Sequence, residues 1–216
     1  MSSQPNESSG AIPFDEKKKR IPLVSLDPNR PIWERFFMVA PLVIIGSREE
    51  SGVFDLAPKH MATPLGWQNY FGFVCTPRHR TYQNIQRQGA FTVTFPRPSQ
   101  VVLTSLAAAP RDDDDIKPAL ALLPTRPART IDGVFLADGY LFLECSLDRI
   151  IDDFGENSLI AGRVLAAEVA EDALRHFERE DADVLRAAPL IAYLAPGRYA
   201  EIRYGHAFPN PVGFVR

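Results

Sequence analysis

Residues 56–95 read LAPKHMATPLGWQNYFGFVCTPRHRTYQNIQRQGAFTVTF. Phe91, Val93 and Phe95 alternate with Thr92 and Thr94, a period of two that predicts a strand with one buried face. Tyr70 to Cys75 is a second strand-like run. Between the two, a helix carrying Tyr82, Asn84 and Ile85 is expected to begin near Arg80 or Thr81. Polar donors crowd the flanking loops: Lys59, His60 and Thr63 follow one strand candidate, and Arg78, His79, Arg80 and Thr81 follow the next. A helix beginning there aims its free N–H groups at an anion, and its dipole favours negative charge at the same place. On composition alone, basic loops of this kind are more often solvated surface than an anion site. The helix N-terminus supplies the geometric argument.

Working outward, Phe36 to Gly46 (FFMVAPLVIIG) is apolar on both alternating faces, as expected of a strand buried on both sides or lying at a subunit interface. Pro41 and the Val, Ile and Phe content favour strand over helix. A turn at Arg48 to Gly52 returns the chain through Val53 to Ala57 as a hairpin. Ser99 is a candidate N-cap for a helix through Val101, Leu103 and Leu106. Asp112 to Asp115 read as the acidic first turn of a helix through Ile116 to Leu123. Consecutive carboxylates diverge on a helix, which makes a metal site there the weaker reading. Leu141 to Leu147 and Leu159 to Ala167 form a second hairpin about the turn at Gly155 to Asn157. A charged helix over Ala173 to Ala187 and a short apolar run, Pro189 to Leu194, follow. Strands arriving in hairpins, without strand-helix-strand alternation, predict a mainly β fold: an antiparallel barrel of about six strands with peripheral helices.

The composition sets further bounds. A chain of 216 residues with 45% hydrophobic content can bury a sizeable core; residues 1–20 are polar and read as a flexible arm ahead of one domain, 21–216. The net charge of -3 argues against a nucleic-acid partner. The longest apolar run is about half a bilayer span and the N-terminus lacks a signal-peptide core, so a cytoplasmic location without membrane contact is expected. Cys75 and Cys145 lie far apart in strand-like runs and read as buried thiols, and no metal site is expected. Gly-x-Gly-x-x-Gly, Walker, Gly-x-Ser-x-Gly and His-Glu-x-x-His motifs are all absent from the sequence.

A mononucleotide such as FMN joins an anionic phosphate to a flat, mostly apolar ring, so its site needs convergent donors beside an apolar or aromatic wall. The 56–95 segment offers both. Gly52, Asp55-Leu56-Ala57-Pro58, the following strand, Thr81-x-x-Asn84-Ile85 and Gly89-Ala90-Phe91-Thr92-Val93, in that order, resemble the flavin reductase-like family of FMN-binding split barrels. The resemblance is clear over about Phe37 to Phe95 and extends by pattern to about Tyr204. It implies a six-stranded antiparallel split β-barrel of Greek-key type, a homodimer with FMN at or near the subunit interface, and NAD(P)H as electron donor. It implies that Lys59, His60, Met61, Ala62 and Thr63 lie at the isoalloxazine and ribityl chain and that Arg78, Arg80 and Thr81 hold the phosphate, with Thr76 a further cofactor-binding candidate. Trp67 and Tyr70 are candidates to wall the ring, although an aromatic beside a strand is more often core. Many relatives have Ser where this chain has His60. In the tail, His206 within Tyr204-Gly205-His206 is the candidate nicotinamide or substrate contact, while His176 reads as surface. The expected activity is reduction of flavin, or of an acceptor through flavin, with a flavin-dependent monooxygenase as a downstream partner. The alternatives are a non-catalytic split barrel that binds FMN or haem, and a pyridoxamine phosphate oxidase-like enzyme, which the Asn84-Ile85 and Gly89-Phe91 elements disfavour.

Overall fold

Every strand of the main sheet runs antiparallel to its neighbours, so the chain folds by hairpins and short returns. The computed structural model describes residues 21–176 and 178–213; the arm expected over 1–20 lies outside them. Residues 1–32 and 33–216 are separate compact units. In the first, the described stretch has no helix or strand and makes one turn, where Arg30 N–H donates to Asp27 O and Asn29 N–H to the Asp27 carboxylate.

The second unit carries β1 (Met38–Pro41), β2 (Val43–Arg48), β3 (Phe54–Lys59), β4 (Ala62–Pro64), β5 (Tyr70–Cys75), α1 (Arg80–Gln88), β6 (Ala90–Phe95) and α2 (Val101–Leu106). There follow β7 (Thr125–Pro127), β8 (Val134–Leu136), β9 (Leu141–Phe154), β10 (Asn157–Val169), α3 (Asp181–Ala187), β11 (Leu190–Ala195) and β12 (Arg198–Ile202). Seven strands form one curled sheet in the order β3-β2-β6-β9-β10-β5-β4, the half-barrel of a split-barrel fold. The three-residue β4 is the strand that local patterning does not reveal. A second sheet, β1-β11-β12, and the pair β7-β8 complete the strands.

The Phe36–Gly46 run is not one strand. It breaks at Leu42, so β1 joins β11 in the small sheet while β2 enters the large one. The two-faced apolarity of β2 is satisfied within the chain: Val43 and Ile45 pack with Phe71, Phe73, Phe91 and Ile160 on one side, and Ile44 with Leu56, Leu123 and Leu136 on the other. Two glycines have specific tasks. Gly89 ends α1 with φ 72°, a left-handed conformation open to glycine at low cost, and donates its N–H to Ile85 O at 2.8 Å. At Gly162 a Cβ would lie 2.5 Å from the Phe91 ring, so only hydrogen lets β10 close over that phenylalanine.

Three expected helices differ from the sequence reading. Ser99 is not a cap: a 3-10 turn, Pro98–Gln100, precedes α2, and Gln100 Oε1 accepts the Arg97 N–H at 3.0 Å. The Asp112–Asp115 run forms a turn, because the Asp112 carboxylate accepts the N–H groups of Asp114 and Ile116; a short 3-10 turn, Pro118–Leu122, stands in place of the expected helix. The helix expected over Ala173 to Ala187 shrinks to α3, which buries only Val184. Without an apolar stripe to bury, propensity does not sustain it.

On β9, Glu144 is buried and accepts hydrogen bonds from Arg129 N (2.9 Å), Thr130 N and Oγ1 (both 2.6 Å) and Ile131 N (3.1 Å). Burial alone would raise its pKa, but these donors outweigh it and hold the carboxyl below its ordinary range. Both cysteines are free and buried thiols. No helix among the described residues is long and apolar enough to cross a membrane.

Candidate functional site

The end of β3 and the start of α1 meet because β3 and β5 sit on either side of the Lys59–Thr63 connection. Val74 N–H donates to Met61 O at 2.8 Å, which pins this connection against β5. The Thr76–His79 loop then carries the chain from β5 into α1. A cleft of about 660 Å³ opens between these segments and the Ala107–Lys117 loop. Lys59, Arg78, Arg80 and Thr81 all line it, together with Asp55, Pro58, His79, Arg111 and Lys117.

The helix end in this cleft is bare. His79 is the N-cap residue but its side chain makes no cap hydrogen bond, and the first turn of α1 has no acidic residue. Tyr82 and Gln83 N–H already donate to His79 O, at 3.0 and 3.3 Å, while the Arg80 and Thr81 N–H groups have no acceptor among the described residues, which leaves a partial positive charge facing the cleft. Most of the surrounding cations are already engaged. Lys117 Nζ lies 3.1 Å from Asp55 and donates to Leu56 O at 2.8 Å, both deep in the fold. Arg111 pairs with Glu49, Arg80 with Asp115, and Arg78 with the exposed Glu156 at 2.6 Å. Lys59 forms no ion pair among the described residues; its charge acts on His60, His79 and Cys75. Burial and then Lys59 and Arg78 lower the His79 pKa, and burial and then Lys59 lower that of His60. Burial raises the Cys75 thiol, whose Sγ sits 4.0 Å from His79 Nδ1. A region that disfavours further positive charge and presents unfilled donors suits an anion.

A second cavity, of about 390 Å³, shares Pro58, Lys59 and Ala108 with the cleft. His60 lines this one, its ring against Tyr193 with centroids 4.6 Å apart. The remaining sequence candidates separate from this pair of cavities. Ala62 is buried in the core, Met61 is half-exposed, and the Thr63 hydroxyl donates to Pro64 O at 3.3 Å. Thr76 Oγ1, at the start of the phosphate-loop candidate, is buried without a hydrogen-bond partner among the described residues. Trp67 is 83% exposed and lines an apolar groove with Tyr70, Phe95 and Leu143. His206 lines a cavity with His176, Arg175 and Arg179 that shares no residue with the cleft. Residues not singled out from the sequence complete the two cavities: Arg111 and Lys117 in the cleft, and Thr104 and Tyr193 in its neighbour. The Asp run beside Arg111 was the available signal, read there as a helix start.

The family model described as a flavin reductase like domain matches residues 35–202. No curated protein matches the chain in sequence. Among solved structures, nitrilotriacetate monooxygenase component B from Bacillus cereus is 22% identical, with a TM-score of 0.74 over 88% of this chain and 100% of its own. Flavoredoxin from Methanosarcina acetivorans is 16% identical, with a TM-score of 0.70 over 89% and 97%. The FMN-binding protein from Thermus thermophilus, solved with 1-cyclohex-2-enone, is 19% identical, with a TM-score of 0.68 over 87% and 99%.

Proposed function

The chain belongs to the flavin reductase-like family, and on that premise we propose that it is an FMN-dependent oxidoreductase that takes electrons from NAD(P)H and passes them to free flavin or to an acceptor. One observation carries the FMN reading: the uncapped N-terminus of α1 opens into a cleft where Lys59 has no carboxylate partner among the described residues. Phosphate is the group that complements such a helix end and an ammonium without a carboxylate partner. The fit extends beyond charge. The Ala57–Pro58 strand end and the Ala107–Pro110 loop give the cleft an apolar wall for a flat ring, at a volume within the usual range for small-ligand sites.

When bound, FMN supplies hydride and electron transfer. The chain's own residues then have defined tasks. The free Arg80 and Thr81 N–H groups of α1 and Lys59 hold the phosphate, with Arg78, Arg80 and Thr81 around it. Ala57, Pro58 and the Lys59–Thr63 connection orient the ring. Burial and then Lys59 lower the pKa of both His60 and His79, which favours their neutral forms before the phosphate is seated. His206 and Trp67 belong to this proposal only through the subunit partner that a homodimer would bring. Exposed Phe36, Phe37 and Val39, the last on the edge strand β1, support such a dimer, since an unpaired apolar edge is a liability for a monomer. A cytoplasmic location is part of the same reading. The Bacillus cereus relative is named as one component of a monooxygenase, and delivery of reduced flavin to such a partner is the role proposed for this chain as well.

The test is a fluorescence titration with FMN followed by anaerobic NADH or NADPH. Saturable quenching, then bleaching of the visible flavin band, is the expected result. Absence of quenching overturns the FMN reading. Quenching without bleaching or steady-state NAD(P)H consumption leaves a binding module rather than an enzyme.

A further inference from the structure

The 390 Å³ cavity beside the cleft has a chemistry of its own. Its apolar walls are Leu42, Pro58, Val101 and Ala108, and its rings are His60, Tyr193 and Tyr199. Two cations reach it. Lys59 is common to both cavities, and Arg198, in the β11–β12 turn, donates only to Gly197 O (3.1 Å) and has no ion pair among the described residues. No Asp or Glu is among the described residues that line it, unlike the cleft, where Asp55 and Asp115 face the cations. Deeper in, Thr104 of α2 also lines the cavity; it is 3% exposed, and its hydroxyl is buried without a hydrogen-bond partner among the described residues. With under 1 Å² of accessible surface, that hydroxyl is sealed behind the cavity wall and is not open to a ligand.

The turn that presents Arg198 is fixed. Gly197 takes φ 68° and its N–H donates to Tyr193 Oη at 2.9 Å, while the Tyr193 ring packs on His60. One hydrogen-bonded unit thus ties the cation to the aromatic wall. Burial and the Lys59 charge favour neutral His60, so the ring face offered to a ligand is uncharged.

We propose that this cavity is the acceptor subsite of the enzyme and that it takes a planar aromatic acid: the ring against His60, Tyr193 and Tyr199, and the acid group on Arg198. The proposal rests on the FMN reading, because the shared Pro58, Lys59 and Ala108 place the subsite beside the cofactor cleft. The volume lies at the lower end of the small-ligand range, which suits a single substituted ring.

Benzoate is the probe, titrated into FMN-loaded protein and followed both by the flavin difference spectrum and by calorimetry. Saturable benzoate binding that perturbs the flavin band is expected, with benzyl alcohol much weaker. Arg198→Gln should weaken benzoate by about tenfold or more, as loss of a charge-assisted hydrogen bond implies, whereas Thr104→Val should leave it within about twofold. FMN affinity should stay within about twofold in both variants, since neither residue lines the cleft. Failure of benzoate to bind, or equal binding by wild type and Arg198→Gln, overturns the subsite. Loss of FMN affinity in Thr104→Val also overturns it, by assigning the cavity to the cofactor itself. If FMN fails to bind wild-type protein while calorimetry still detects benzoate, with the same variant pattern, the flavin reading falls and the aromatic-acid site stands.

Discussion

Glu144 and the N-terminus of α1 are two halves of the same electrostatic device, one finished by the chain and the other left open. At Glu144, a buried carboxylate is ringed by backbone N–H groups of 129–131 and the Thr130 hydroxyl, so anion and donors are both supplied by the fold. At α1, the Arg80 and Thr81 N–H groups have no acceptor, the first turn has no acid, and Lys59 has no carboxylate partner among the described residues. Donors that are satisfied internally hold a structure together. Donors left over at a cleft are available to a ligand.

The contrast breaks most readily at its finished half. Glu144→Ala strips the acceptor from three backbone N–H groups and one hydroxyl in a buried setting, and is expected to cost about 3 kcal/mol of stability, measured by urea denaturation. The same carboxylate sets an acid limit. Its folded-state pKa is lowered, so its stabilisation is complete above the ordinary value of 4.5 and is lost as the pH falls below that through the lowered value. Glu144→Gln should flatten the stability-pH curve in that window. If FMN affinity per folded molecule also changes in Glu144→Ala, the two regions are not separable and the contrast fails.

The open half should respond the other way. Lys59→Met keeps the aliphatic stem and removes the charge, and is expected to weaken FMN by about thirtyfold, about 2 kcal/mol for a charge-assisted phosphate contact. Stability should move by less than about 0.5 kcal/mol, because no ion pair among the described residues is lost. Riboflavin, which lacks the phosphate, should be affected far less than FMN. An equal loss for riboflavin and FMN would move Lys59 from the phosphate to the ring.

The sequence shows this contrast unevenly, and locality explains why. The sheet strands β5 and β6 and the helix between them are readable because each depends on near neighbours: alternation at Phe91–Phe95, and a helix closed by Gly89. The convergence of Lys59 with Arg78–Thr81 is readable for the same reason, since only the short β4 and the strand β5 separate the two loops. The far wall of the cleft is not, because Ala107–Lys117 reaches it only through tertiary packing, with Lys117 held on Asp55 across 62 positions. The acidic run beside it misleads, since Asp112 caps a turn that four aspartates in a row do not announce. The break between β1 and β2 is hidden because a continuous apolar run carries no mark of which sheet each half joins. His206 sits with His176 for a reason no pattern reveals: the tail passes α3, beside Leu185.

The smallest expected effect lies in the titration of His79, and it tests whether the open half is open for an anion. Its pKa is lowered in the folded protein by burial and by Lys59 and Arg78. The unfolded chain therefore binds more protons between the lowered value and the ordinary 6.5, and stability declines as the pH falls through that window. A phosphate seated at the helix end would offset the two cations and favour the charged imidazole. NMR titration of the His79 ring should therefore give a higher pKa with FMN bound than without, and the stability decline should shrink in the loaded protein. Riboflavin should not produce that rise, because it brings the ring without the charge. An unchanged or lower His79 pKa in the FMN complex would show that the phosphate is not at α1, and the resemblance between the Glu144 nest and the helix end would then be one of geometry alone.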